Sequence, residues 1–163
     1  MDKTNYQKVV EFNKTFGHPA YDKPNHEFWN DQKLVKLRVD LIKEEFNELQ
    51  KAVEEKDMIE SADALADILY VVYGMMAVMG INGDVAMGLV HDSNMSKICQ
   101  TEQEAKETVE WYRKEFAEGR QPYDSPTYRQ SDDGARWVVF NESSGKILKS
   151  IKYFPVDLSV MLK

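Results

Sequence analysis

The stretch ADALADILYVVYG, residues 62–74, decides how this chain is read. It is apolar almost throughout, yet it carries Asp67, with Asp63 one helical turn earlier. On a helix of 3.6 residues per turn, Glu60, Asp63, Asp67, Tyr70 and Gly74 fall on one stripe. Leu65, Ile68, Leu69, Val71 and Val72 cover much of the rest. A helix that is apolar nearly all round is expected to be buried. A carboxylate inside it is costly without a partner, and would otherwise take up a proton. The pattern therefore asks for something opposite Asp67 that neutralises it.

The preceding helix answers with more negative charge. Asp31 is the expected N-cap of a helix running to about residue 54, and Asp57 the cap of the next, which Gly80 ends. The stripe of Leu34, Leu37 and Leu41 continues through Glu45, Glu48 and Ala52, so two glutamates occupy positions where apolar side chains are expected. Glu44 is adjacent to them. The short link at residues 55–57 makes the two helices antiparallel neighbours and brings Glu45 and Glu48 opposite Asp63 and Asp67. Like charges converging in this way call for cations, and an all-oxygen donor set favours Mg²⁺ or Mn²⁺ over zinc. Such an ion carries phosphate oxygens and acidifies water. The competing structural reading pairs Asp67 with Arg38, or with a hydrogen-bond network through Tyr70 or Tyr73.

Other segments fill out an all-α bundle of four to five helices. Residues 4–16 form a short amphipathic helix, residues 17–25 a loop, and a third core helix runs from about Asp84 to Cys99. Thr101 with Glu104 is a capping-box pattern that starts a helix over residues 102–118. The domain is thus expected over residues 1–118, with a C-terminal extension, residues 119–163, packed on it. In that extension residues 119–134 read as irregular, and RWVVF, NESSG and KILKSI as strand, turn and strand.

Composition narrows the function classes. The 163 residues are 42% hydrophobic and carry a net charge of −7, with no Lys/Arg run, which argues against duplex nucleic acid as a partner. The start lacks the apolar core of a signal peptide. The apolar run at residues 68–81 falls short of the roughly 20 residues of a bilayer span, so no membrane is expected. Cys99 is the single cysteine, which rules out an internal disulfide and a cysteine-based zinc site. A cytoplasmic setting follows as the expectation.

Three motifs in order, EEFNE (residues 44–48), DALADILYVVYG (63–74) and VHDSNMSK (90–97), resemble those of the MazG-like, all-α nucleotide pyrophosphohydrolases. That superfamily includes phosphoribosyl-ATP pyrophosphohydrolases and all-α dUTPases, and the resemblance covers residues 30–98. It implies a Mg²⁺-dependent enzyme that splits a (deoxy)nucleoside triphosphate into monophosphate and pyrophosphate. It also implies a homodimer or homotetramer. Carried over, Glu45 and Glu48 become metal ligands, Glu44 the base that orients the attacking water, and Asp67 the aspartate of a Glu-x-x-Asp motif. The glutamate of that motif falls on Ala64, and Asp63 is its expected substitute as a metal ligand. Lys97 is expected to meet phosphate and assist catalysis, and Asn94, Arg38 and Tyr73 to contact substrate, with Phe28 and Trp29 as further candidates to line a base pocket. The nearest rival is phosphoribosyl-ATP itself as substrate. A di-iron bundle fails for want of Glu-x-x-His pairs, and a non-catalytic interaction module leaves the facing acids unexplained.

Overall fold

Side-chain caps set where the helices begin. In the computed structural model, which describes residues 2–162, Thr4 opens α1 (Asn5–Thr15) with a reciprocal capping box. The Thr4 hydroxyl accepts from Gln7 N at 3.2 Å, and Gln7 Oε1 accepts from Thr4 N at 3.0 Å. A 3₁₀ turn, His26–Asn30, leads to Asp31, which accepts from Leu34 N at 3.0 Å and starts α2 (Gln32–Glu55). Asp57 accepts from both Ile59 N and Glu60 N and starts α3 (Met58–Met79). Between α2 and α3 stand only Lys56, in the left-handed conformation, and Asp57, so the two long helices fold back on each other and pack along their length.

Asn82 caps α4 (Gly83–Met95) by accepting from Asp84 N and Val85 N. This helix stops short of the expected Cys99. Tight turns at Lys97 and Ile98 follow it, and Cys99 is taken out of helical pairing by two 2.9 Å backbone hydrogen bonds with Trp137. α5 (Glu102–Ala117) begins at Thr101, whose hydroxyl accepts from Glu104 N at 3.1 Å. Only half of the expected capping box forms. The buried Glu104 carboxylate turns instead to Gln100 N at 3.3 Å and Ser150 Oγ at 2.5 Å.

The expected hairpin has a different partner. β2 (Trp137–Asn141) pairs antiparallel with β1 (Pro126–Gln130), in a segment read as irregular, while KILKSI contributes a single bridge, Ile147 to Phe140. The cause is the turn at residues 131–134. Ser131 N donates to Arg136 O, Gly134 adopts φ +69°, and Asp133 accepts from Ser131 Oγ and Ala135 N, which closes the loop locally. Thr127 and Tyr128, both good strand formers, then pair across it.

The described chain divides into two compact units, one comprising residues up to Met87 with those from Leu158 on, the other Gly88–Asp157. The boundary between these units lies inside α4. α5 therefore belongs with the hairpin, because Cys99, Ala105, Val109, Tyr112, Val139 and Leu148 form one core with Tyr123, Tyr128 and Trp137 against it. The first unit holds α1, α2 and α3, with α1 on α3 through an edge-to-face pair of Tyr6 and Tyr73 at 5.9 Å.

In that unit the expectation of a fully buried α3 fails. Ala64, Gly74, Ala77 and Val78 are buried, but Met58 is 82% exposed, Ile59 79%, Leu69 57% and Leu65 52%. Within this chain α2 and α1 pack on only part of the helix surface, and the apolar residues on its remaining side face solvent. By length and hydropathy α3 is the one helix among the described residues that could cross a membrane, though it falls into the pattern of a helix packed on one face only.

Candidate active site

Ordinary helical geometry brings the carboxylates together. Seven residues make about two turns, about 10 Å of rise. Arg38 and Glu45 are separated by this interval on α2, as are Asp67 and Gly74 on the antiparallel α3. The guanidinium of Arg38 lies over Gly74, where an added Cβ would stand 3.1 Å from Nη1. Glu45 consequently falls level with Asp67.

The electrostatics agree with this register. Burial pushes the Glu45 carboxyl above the usual glutamate range, and Asp67, Glu48, Glu44 and Asp63 push it further, in that order. The five acids singled out from sequence therefore do form one electrostatic cluster. It is not an interior one: Glu44, Glu48 and Asp63 are exposed, and Glu45 and Asp67 are half-buried. The reason is the one-sided cover of α3, which leaves the seam between the two helices open along the acidic stretch. None of the five carboxylates has a hydrogen-bond or ion-pair partner among the described residues. The alternative in which Arg38, Tyr70 or Tyr73 satisfies Asp67 is thereby ruled out for this conformation.

Ala64 is buried, so a side chain at that position points into the core. Asp63, exposed and within electrostatic reach of Glu45, is the acid that faces the cluster. Among the described residues no three His, Cys, Asp or Glu side chains converge tightly enough to clasp an ion as they stand. The donor set nevertheless fits a hard divalent cation: all oxygen, all anionic, mutually repelling and unpaired. Glu45, Glu48, Asp63 and Asp67 are the residues that would hold it.

The remaining site expectations separate. Arg38 is 7% exposed and has no acceptor among the described residues for any guanidinium nitrogen, and its Nε is sealed from water. Burial lowers its pKa. Tyr73 does not join it; that ring walls a different depression with Asn5, Lys8 and Leu69. Phe28 is core, and Trp29 is exposed at its edge. Asn94 and Lys97 belong to the second unit, where Lys97 Nζ donates to Asn94 Oδ1 at 2.7 Å. Sequence reasoning missed the residues that surround Arg38, namely Phe12, Asn13, His18, Leu41 and Tyr70. Of these, α1 and the loop after it gave no chemical signal, only amphipathic spacing.

Residues 9–94 match the family model described as phosphoribosyl-ATP pyrophosphohydrolase, a match that runs from within α1 to the last turn of α4 and takes in all five carboxylates. This chain belongs to the phosphoribosyl-ATP pyrophosphohydrolase family. It is thereby an all-α, MazG-like pyrophosphohydrolase, and α5 with the hairpin is a C-terminal extension to the matched region. Among relatives, an uncharacterized protein of Acanthamoeba polyphaga mimivirus, L479, is 35% identical, with 93% of this chain and 92% of the relative covered. The acidic seam between α2 and α3 is accordingly the place in this pyrophosphohydrolase where its chemistry is to be sought.

Proposed function

We propose that the protein hydrolyses a (deoxy)nucleoside triphosphate to the monophosphate and pyrophosphate, with Mg²⁺ held by Glu45, Glu48, Asp63 and Asp67. The observation that carries this reading is a set of five unpaired carboxylates facing one another across two helices of a pyrophosphohydrolase. When bound, the cation supplies charge neutralisation to the phosphate oxygens and lowers the pKa of water. Glu44 stands beside the ligands, exposed and unpaired, and is the side chain available to receive the proton of the attacking water. Water attacks phosphorus in line, the P–O bond to the leaving pyrophosphate breaks, and the proton passes to Glu44.

The test is a panel of all common NTPs and dNTPs, together with phosphoribosyl-ATP, assayed with Mg²⁺ for monophosphate and pyrophosphate. Turnover of at least one triphosphate with pyrophosphate release supports the reading. Activity on phosphoribosyl-ATP alone selects the rival substrate, and release of orthophosphate overturns the cleavage site.

We further propose that the protein works as a homodimer or homotetramer. Leu65 and Leu69, with the exposed Ala62 and Ala66, form an apolar strip on α3, and Phe46 and Val53 are exposed on α2. Burying such a strip at about 25 cal/mol per Å² favours association. Sedimentation equilibrium should give an oligomer for the wild type and a monomer for Leu65→Arg/Leu69→Arg. A monomeric wild type would remove the idea.

A further inference from the structure

Two helical turns along the seam from the acids lies a cavity of about 320 Å³, within the size range of small-molecule sites. Its walls are apolar and aromatic: Phe12 from α1, Tyr70 and Val71 from α3, Leu37 and Leu41 from α2. Phe12 meets Tyr70 edge-to-face at 5.5 Å. Against this lining stands Arg38, 93% buried and without an acceptor among the described residues. Asn13, 3% exposed, donates from Nδ2 to Pro19 O at 3.3 Å, and its Oδ1 accepts from nothing among the described residues. A buried cation without a partner is among the most expensive features a fold can carry. Gly74 has no Cβ where one would press on Nη1 at 3.1 Å, so the helix opposite leaves the guanidinium room. The site has the makings of a receptor: aromatic faces, a two-pronged donor and a free acceptor.

We propose that this cavity holds the nucleobase of the substrate, and that Arg38 selects bases presenting two adjacent acceptors on a base that also carries an exocyclic amine. This rests on the nucleotide reading above. The guanidinium edge delivers two parallel N–H donors, the geometry that reads guanine O6 and N7. Cytosine presents the same chemistry through N3 and O2. Adenine sets an amine beside each ring acceptor of its polar edge, and thymine and uracil flank each carbonyl with an N–H or a carbon, so neither offers the fork a matched pair. Asn13 Oδ1 is free for the amine that guanine and cytosine carry and thymine and uracil lack. The distance of about 10 Å along α2 between Arg38 and Glu45 leaves the sugar and α-phosphate to span from base to acids.

The experiment measures kcat and KM of the full-length protein with Mg²⁺ for dGTP, dCTP, dATP, dTTP and dUTP, with 7-deaza-dGTP separating the guanine N7 contact from the cytosine case. Expected is an advantage in kcat/KM of about tenfold or more for dGTP or dCTP over the other three, the discrimination typical of one bidentate contact. Arg38→Lys keeps the charge but loses the fork, and should raise KM for the favoured base about tenfold without a comparable rise for the others. Gly74→Ala, acting through Arg38 as a positioning change, should shift the same ratio, and it covers the case in which the lysine variant does not fold. Turnover with no such ranking, or a ranking that survives both variants, overturns the base subsite and leaves the nucleotide reading intact. No turnover of any triphosphate overturns the nucleotide reading itself.

Discussion

Asp67→Asn should lower Mg²⁺-dependent pyrophosphate release by at least about a thousandfold, equivalent to about 4 kcal/mol of transition-state stabilisation. Asparagine keeps the shape but removes the anionic oxygen, and with it a ligand from the centre of the proposed cation site. The same variant should be no less stable than wild type when divalent ions are removed. Asp67 is, after burial, the largest influence raising the Glu45 carboxyl, so its charge opposes folding of the metal-free protein. The sign follows from proton linkage. A carboxyl whose pKa rises on folding binds its proton more tightly in the folded state. It favours the fold at low pH, and that contribution is lost as pH climbs from about 4.5 through the raised value. Thermal melts in chelator should therefore show Asp67→Asn gaining on wild type as pH increases, with the two converging in acid. Full pyrophosphate release by this variant would remove Asp67 from the site, and a melting temperature well below wild type at neutral pH would mean that the carboxylate has a structural partner.

The features legible in sequence were those written in local chemistry. Asp31, Asp57 and Thr101 cap helices because a short oxygen-bearing side chain can reach the free N–H groups of the first turn, and nothing distant is needed to see it. The acids were legible for the same reason: helical spacing alone puts Glu45 and Glu48 on the face that meets Asp67. What failed depended on neighbours. The apolar composition of α3 implied burial, but composition cannot tell cover supplied by the same chain from an exposed strip. The end of α4 is set by Trp137 pairing with Cys99, a partner far along the chain. β1 was hidden because Pro, Ser and Asp flank Thr127 and Tyr128, and the hydrogen bonds that make the turn come from side chains of the turn itself. Arg38 was expected to contact substrate or to pair with Asp67, and only the fold places it beside aromatic rings with no acceptor among the described residues.

The largest effect on stability is expected at Gly80. This residue ends α3 with φ +70°, a conformation that costs a residue with a Cβ about 1 kcal/mol or more. The added methyl would also stand 1.8 Å from Lys23 O and 2.5 Å from its carbonyl carbon. Those are backbone atoms, and the loop that carries them is not free to retreat. Tyr21 N donates to Ala77 O and Asn25 N to Met79 O, both at 2.9 Å, and Asn25 Nδ2 donates to Val78 O. Relieving the clash means breaking some of these bonds, each worth about 1 kcal/mol net, and leaving their partners unsatisfied where they are buried. Together with the strain, Gly80→Ala should cost about 3 kcal/mol or more, a large share of the 5–15 kcal/mol that holds a typical domain together. At roughly 2–4 °C per kcal/mol for a chain of this size, the melting temperature should fall by about 10 °C. Gly88 supplies the control. It lies within α4 with open space where a Cβ would go, and Gly88→Ala should raise stability by about 0.5–1 kcal/mol. A Gly80→Ala protein that melts with the wild type would mean that the loop over residues 17–25 does not rest on the end of α3.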